Sequence, residues 1–204
     1  MHTKEAAVID AVTIEAEDTV KTSEFIADAF GLADLIHVRP SQEQTSGFRG
    51  FSLSLVYDQP ADVDRAAEAA LRAGAEPIKP VAKSFWGYGG SLRAPDGTVW
   101  TLASSKKKNT AEPTGRVSQV VLLAGVADVR AAKAFYTEHG LRVRRSFGSK
   151  YVEFDTGAAI TLALQSRRAV AKNAGVDPAG SGSHRLAISG GIGSVVDPDG
   201  YVWE

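Results

Sequence analysis

Two glutamates lie at strand positions where a carboxylate could act as an acid or a base. Glu15 shares one face of an alternating segment, residues 8–16, with Ala11 and Thr13. Burial of that face would make Glu15 a candidate general base, and an exposed strand-end carboxylate is the alternative. Glu204 ends another alternating strand, on the face opposite Trp203. Both carboxylates are therefore candidate catalytic groups.

Aromatic side chains are concentrated in one glycine-rich segment. Residues 85–90 contain Phe85, Trp86 and Tyr88 among three glycines. Flat rings beside a backbone that a ligand can approach closely suit a planar or partly aromatic small molecule. Phe51, at the start of a strand in the first half, is a further candidate for the wall of such a site. The alternative is that Phe85 and Trp86 pack inside the fold, as aromatic residues usually do.

The composition excludes several classes of chemistry. The 204 residues include no cysteine, so thiolate metal sites and disulfides are absent, and a reducing, cytoplasmic location is expected. The 23 basic and 24 acidic residues nearly cancel, which gives no reason to expect a nucleic-acid or membrane surface. No stretch is apolar enough for a transmembrane helix or a signal peptide. Neither a Ser-His-Asp arrangement nor a phosphate-binding glycine loop is apparent.

One octapeptide occurs twice. Residues 94–101, APDGTVWT, return as residues 197–204, DPDGYVWE, which indicates two homologous modules. Each half also opens with a strand and a helix that closes on Gly-Leu. A polar stretch containing Lys106–Lys108 joins the halves, and its lysines are expected to be solvated. We therefore divide the chain into a first module, residues 1–104, a linker, 105–116, and a second module, 117–204.

The two modules differ before their last strands. In the first, apolar residues recur at helical spacing between Asp62 and Gly74, which predicts an amphipathic helix. In the second, the segment from His184 to Asp197 is too short for that helix, and a compensating helix is predicted earlier, at 167–173. Each module is expected to follow the order strand, helix, three strands.

These features resemble the vicinal oxygen chelate superfamily, which includes glyoxalase I, extradiol dioxygenases and bleomycin-resistance proteins. The resemblance spans nearly the whole chain and rests on the two Pro-Asp-Gly strands, the strand-helix-Gly-Leu openings and the segment 85–90. It implies an α+β fold in which two βαβββ modules form open-barrel sheets around a cup for a small ligand, usually with a metal. Two modules in one chain would complete this cup, so a monomer or a homodimer is compatible with it.

The resemblance also implies where metal ligands would lie. Glyoxalase-like members use positions that match Ala11, Thr101, Gln119 and Glu204 here. On the first-module side, methyl and hydroxyl groups stand where the ligands would be. We therefore expect this composite site to lack the donors that a divalent metal needs there. Dioxygenase-like members take three ligands from one module, and the matching residues are Gln119, His184 and Glu204. This set could hold a divalent metal; the alternatives are a cross-strand hydrogen bond for Gln119 and a water-facing position for His184.

The sequence therefore favours a protein that binds a small aromatic or oxygen-rich molecule and has a degenerate metal site. No cofactor is required, and a divalent metal is the one candidate. The alternative is a metal-dependent lyase or extradiol-type dioxygenase that uses the second-module ligands. A scaffold that binds a partner protein and leaves its cup unused is a third hypothesis.

Overall fold

The computed structural model describes residues 7–157 and 159–204. Its elements include those predicted, together with additional strands, two of them long, that the sequence analysis did not predict. In chain order they are β1 (Ile9–Ala16), α1 (Thr19–Phe30), β2 (Ile36–Pro40), β3 (Thr45–Gly47), β4 (Phe51–Tyr57), α2 (Pro60–Arg72), β5 (Glu76–Ser84), β6 (Gly87–Arg93), β7 (Val99–Ser104), β8 (Val117–Val126), α3 (Val129–Glu138), β9 (Arg142–Ser146), β10 (Val152–Asp155), β11 (Ile160–Ser166), α4 (Arg167–Ala174), β12 (Gly180–Gly182), β13 (Leu186–Gly190), β14 (Val195–Val196) and β15 (Val202–Trp203).

Two large sheets and one short ribbon contain these strands. The five-stranded sheet has the order β14-β15-β13-β1-β2, and the eight-stranded sheet has the order β5-β6-β7-β4-β8-β11-β10-β9. Strands β3 and β12 pair with each other. The α+β class expected from the sequence is confirmed. Within the described part of the chain, no helix is long and apolar enough to cross a membrane.

Both large sheets repeat one strand arrangement and take strands from both halves of the chain. Strand β1 lies between parallel β2 and antiparallel β13, as β8 lies between parallel β11 and antiparallel β4. Strand β13 then pairs with parallel β15, as β4 does with β7. Each sheet joins the opening strands of one half to the closing strands of the other. The halves are therefore interlocked, and neither completes a large sheet alone.

The two Pro-Asp-Gly turns have the same backbone geometry. Gly97 and Gly200 both have a φ of 89°, a left-handed value that glycine adopts without strain. The N–H of residue 94 donates to the carbonyl of residue 98 at 2.9 Å, and that of residue 197 donates to the carbonyl of residue 201 at 3.0 Å. Each turn aims its strand so that the following tryptophan, Trp100 or Trp203, is fully buried.

Helix ends form where the sequence places capping residues. The Asp18 carboxylate accepts the Lys21 N–H at 2.9 Å and begins α1, and Asp128 caps α3 in the same way. Gly31 ends α1 in the left-handed conformation. The buried faces of these helices carry aromatic residues that pack on the two tryptophans. One hydrophobic core thus connects both sheets to α1, α2 and α3.

Helix α4 covers part of the opposite face of the eight-stranded sheet, called here the inner face. Its side chains at Val170, Ala171 and Ala174 are fully buried and pack with Phe48 and Val99, apart from the main core. The Ser91 hydroxyl, also buried, donates to the last α4 carbonyl, at residue 174, at 2.6 Å. The helix predicted at 167–173 therefore covers part of the surface where the family resemblance implies a cup for a ligand.

Candidate functional site

Strand registers identify equivalent positions in the two sheets. In the eight-stranded sheet, Leu53 pairs with the tryptophan of the first turn on one side and with Leu122 on the other. In the five-stranded sheet, Ile188 pairs with the tryptophan of the second turn and with Val12. Val12 and Leu122 therefore occupy equivalent positions.

This equivalence corrects the alignment of the predicted metal positions. Ala11 precedes Val12, so its counterpart is Val121, and Gln119 lies two residues earlier on β8. Strand alternation places Val121 and Gln119 on the same face, and the sequence pattern could not distinguish them. The opening-strand positions of both halves thus carry methyl or isopropyl groups, which offer no donor to a metal.

Glu204 is held in an ion pair in the five-stranded sheet. Arg39 Nη1 donates to Glu204 Oε1 at 2.6 Å, and Arg39 Nε and Nη2 donate to Glu15 Oε1 at 2.9 and 2.6 Å. The hydrogen bonds with Glu204 and Glu15 raise the pKa of the Arg39 guanidinium. The two carboxylates that were catalytic candidates thus share one cation, and neither is a free base in this arrangement.

His184 lies away from Glu204. Its ring stacks on Tyr201 with centroids 4.0 Å apart, and burial lowers the pKa of the imidazole. The backbone of Glu204 bonds to residues 188 and 190, which sets it level with Ser189. His184 lies outside β13, which begins at Leu186, and Arg185 between them has a φ of 52°, so the chain at His184 does not continue the strand that runs beside Glu204. The His184 ring is half-buried and is covered on one side by Tyr201.

The predicted metal set therefore does not converge. Gln119 belongs to the other sheet, where its Nε2 donates to Thr161 Oγ1 at 2.6 Å. Among residues 7–157 and 159–204, no group of three or more His, Asp or Glu side chains is placed to hold a metal ion. A divalent ion needs several such donors at roughly 2 Å. The residues present do not fit one.

The four aromatic candidates are also dispersed. Phe51 lies in the main core at 1% exposure. Phe85 and Trp86 form the turn between β5 and β6 and are 81% and 84% exposed. Tyr88, half-buried on β6, donates its hydroxyl to Asp64 at 2.7 Å. These residues lie in different places, because Phe51 is in the core and the segment 85–90 forms a hairpin whose turn points into solvent. Packing of Phe85 and Trp86 inside the fold is excluded for the same reason.

A polar cavity of about 370 Å³ opens at the Gln119 end of the eight-stranded sheet. Helix α4 packs near Leu123, four residues further along β8, so it leaves this end uncovered. The residues that line the cavity are Gln119, Arg144, Phe154, Asp155, Thr156, Gly157 and Thr161. They bring an amide, a guanidinium, a carboxylate and hydroxyl groups to one place.

The charges at this cavity are partly neutralised. Arg144 Nη1 lies 3.5 Å from Glu153 Oε1, and the Arg144 side chain is 54% exposed. The Tyr151 hydroxyl donates to the other Glu153 oxygen at 2.7 Å. Burial, followed by this hydrogen bond, raises the pKa of Tyr151. Glu153 is thus satisfied by two partners, whereas the five N–H donors of Arg144 exceed what one carboxylate oxygen can accept.

A larger cavity, about 440 Å³, lies between helices α1 and α2. Its lining includes Tyr57 and Asp62, and burial raises the pKa of the Tyr57 hydroxyl. Asp62 Oδ1 accepts the Gly115 N–H at 2.6 Å. Asp62 Oδ2 is buried and has no hydrogen-bond partner among the described residues. This cavity is the main competing location for a ligand.

Sequence reasoning missed Arg39, Arg144 and Thr161. Arg39 lies directly beside Glu15 on the parallel neighbour of β1. Arg144 and Thr161 reach one cavity from strands β9 and β11, which are not adjacent in the sheet. An alternating pattern marks the face of each residue, but only the register shows which residues meet.

Comparison with known proteins identifies the fold. No family model matches the sequence, and no curated protein matches it. Glyoxalase I from Zea mays superposes with a TM-score of 0.60 at 15% identity, covering 97% of this chain and 91% of that chain. A Bacillus subtilis protein described as a candidate dioxygenase superposes with a TM-score of 0.58 at 11% identity, covering 97% and 73%. The fold is glyoxalase-like. At this identity the similarity establishes the fold alone.

Proposed function

We propose that this glyoxalase-fold protein binds a small, oxygen-rich molecule in the polar cavity at the Gln119 end of the eight-stranded sheet, without a resident metal ion. The observation that carries the proposal is the lining of that cavity, about 370 Å³ in volume. Small-molecule sites of a few hundred Å³ rely on a few convergent polar groups to orient the ligand. Gln119, Arg144, Asp155 and Thr161 supply such groups.

Each group has a distinct part in recognition. Arg144 pairs with a ligand carboxylate or with two neighbouring oxygens, because a guanidinium presents donors in a planar fork. The Gln119 amide is oriented by its hydrogen bond to Thr161, and its carbonyl oxygen accepts from a ligand hydroxyl. Asp155 accepts from a second hydroxyl at the exposed rim. An oxygen-rich ligand satisfies all three without a metal.

Binding is favoured over metal-dependent catalysis by the positions of the acidic groups. Glu15 and Glu204 are both bound to Arg39 in the five-stranded sheet. Gln119 is the one member of the predicted metal set that lines the polar cavity. The lyase and dioxygenase alternatives require ligands that converge, and no observation in this structure favours them. The shared fold does not transfer activity.

The proposal is tested by ligand titration followed by NMR on isotope-labelled protein. The probes are citrate, tartrate, benzoate and catechol, which differ in charge, hydroxyl content and aromaticity. We expect a binding probe to shift the side-chain amide signals of Gln119. Arg144→Ala should weaken that probe about 10- to 100-fold, because a hydrogen bond to a charged group contributes about 1.5 to 3 kcal/mol. Gln119→Ala should weaken it about 2- to 10-fold, because a neutral hydrogen bond contributes about 0.5 to 1.5 kcal/mol.

A matched control distinguishes the two cavities. Ala69 lines the cavity between α1 and α2, and Ala69→Leu reduces its space without touching the polar cavity. Loss of binding in Ala69→Leu, with full binding in Gln119→Ala, would place the ligand between the helices and refute the proposal. Stoichiometric zinc, nickel or iron that is lost in Glu204→Gln would support the metal-dependent alternative instead.

A further inference from the structure

The hairpin of β5 and β6 ends in two exposed aromatic residues. Ser84 pairs with Gly87, so Phe85 and Trp86 make up the whole turn. Their rings meet edge to face with centroids 4.9 Å apart, and both are more than 80% exposed. Two-residue hairpin turns usually carry Asn, Asp or Gly. Large apolar side chains grouped in solvent commonly mark a surface that contacts something else.

Lysines surround this turn. Lys83 precedes it on β5 and is exposed. The run Lys106–Lys108 is also exposed and lies beside the turn, because Ser104, at the end of β7, pairs with Tyr88 of β6. The Lys107 ammonium is 5.8 Å from the centre of the Phe85 ring. The Lys107 ammonium therefore adjoins the aromatic pair. Lys83 is close to that pair along the chain, and Lys106 and Lys108 are neighbours of Lys107. The Lys106 ammonium donates to Thr110 Oγ1 at 3.1 Å.

Asp64 is the acidic residue that contacts Tyr88 of this hairpin, and a hydrogen bond already engages its carboxylate. Asp64 accepts the Tyr88 hydroxyl at 2.7 Å from the side of α2. The local formal charge is thus strongly positive, although the whole chain has a formal net charge of -1. The near-zero net charge of the whole chain gave no reason to expect an anionic partner. That charge is a sum over all residues, so it does not show that these lysines are concentrated in one place.

We propose that the basic aromatic tip, defined as Lys83, Phe85, Trp86 and Lys106–Lys108, inserts reversibly into the headgroup region of a membrane that contains anionic lipid. Tryptophan favours the membrane–water interface, and lysines adjacent to it are attracted to anionic headgroups. The tip protrudes as the end of a hairpin, and a bilayer surface accepts a protruding turn without a preformed groove. A protein partner would need a complementary concavity.

The charges set the expected strength of binding. Each lysine near an anionic surface strengthens association roughly fivefold, and the effect is screened within about 10 Å at moderate salt. Four lysines and two shallowly inserted rings give a weak, salt-sensitive association. This association does not depend on the ligand cavity, which lies elsewhere in the eight-stranded sheet.

Trp86 supplies a direct readout, because Trp100 and Trp203 are fully buried. The full-length protein is mixed with vesicles of phosphatidylcholine alone, or of phosphatidylcholine with phosphatidylserine. With the anionic vesicles we expect the Trp86 emission to shift to shorter wavelength and to be protected from acrylamide quenching. High salt should reverse both changes. Unchanged emission, or equal changes with both kinds of vesicle, would overturn the proposal.

Variants test the two components separately by co-sedimentation with the same vesicles. The triple change K106Q, K107Q and K108Q should weaken binding about 100-fold, and Phe85→Ser with Trp86→Ser should abolish the residual binding. Leu71→Ser is the matched control, because Leu71 is an exposed apolar residue elsewhere on the surface. Thermal unfolding confirms that each variant is folded. Wild-type binding by the tip variants, or concentration-dependent self-association that these variants remove in the absence of vesicles, would contradict the proposal.

Discussion

Arg39 and Glu204 are 165 positions apart in the sequence, yet Arg39 Nη1 donates to Glu204 Oε1 at 2.6 Å. Glu204 is the carboxylate that distinguishes the second Pro-Asp-Gly strand from the first, where Thr101 stands. The same guanidinium also holds Glu15. The Arg39 guanidinium therefore pairs with both Glu15 and Glu204.

The Arg39–Glu204 pair should show measurable coupling. A double-mutant cycle with Arg39→Ala and Glu204→Ala is expected to give about 0.5 to 1 kcal/mol of unfolding free energy, because both side chains are more than a third exposed and screened by water. The coupling should shrink at high salt. The Arg72–Glu68 pair, 3.8 Å apart and about 70% exposed, is the control and should show almost none. Zero coupling for Arg39–Glu204 at low salt would contradict the assigned pair.

The two equivalent tryptophans should differ in their contributions to stability. Trp203 Nε1 donates to the Tyr136 hydroxyl at 3.3 Å, whereas Trp100 Nε1 is buried with no partner among the described residues. Trp203→Phe loses a hydrogen bond and Trp100→Phe removes an unsatisfied donor. We expect Trp203→Phe to lower the unfolding free energy by about 1 kcal/mol more than Trp100→Phe does. Urea denaturation of both variants measures this, and a larger loss for Trp100→Phe would refute it.

His184 should make stability depend on pH. Burial lowers its pKa, and Arg167 acts in the same direction, while the Gly200 backbone and the carboxylates of Asp197 and Asp199 oppose the shift. Because the folded-state pKa lies below the unfolded value of about 6.5, the unfolded chain binds the proton first as pH falls. The stabilisation is complete above that value and is lost as pH decreases toward the folded pKa.

The variant His184→Phe isolates this effect, because it retains a ring to stack on Tyr201 and cannot titrate. Its unfolding free energy, measured by urea denaturation, should fall less than that of the wild type between about pH 7 and pH 5.5. Burial raises the pKa of Asp199, which acts in the opposite sense at lower pH and is common to both proteins. His37→Phe, at an exposed position, is the control. Parallel pH profiles for His184→Phe and the wild type would contradict the prediction.

The sequence by itself determined features that depend on a few neighbouring residues. Asp18 and Asp128 cap their helices through hydrogen bonds that span two or three positions. Gly97 and Gly200 adopt the same left-handed conformation because each turn needs a residue without a side chain there. Such local interactions recur wherever the same short sequence recurs, so the repeated turn and the helix boundaries could be predicted.

The tertiary structure alone decided which residues meet. A shift of two residues leaves every side chain on the same face of a strand, so only the cross-strand register showed that Val121, not Gln119, matches Ala11. The sequence predicts a helix at 167–173 because none fits between His184 and Asp197, but the place of α4 on the inner face depends on Phe48 and Val99, which are distant in sequence. Likewise, the aromatic residues Phe85 and Trp86 face solvent because β5 and β6 pair up to their turn. Contacts of this kind depend on strand pairing across the whole chain, which a single-sequence pattern does not encode.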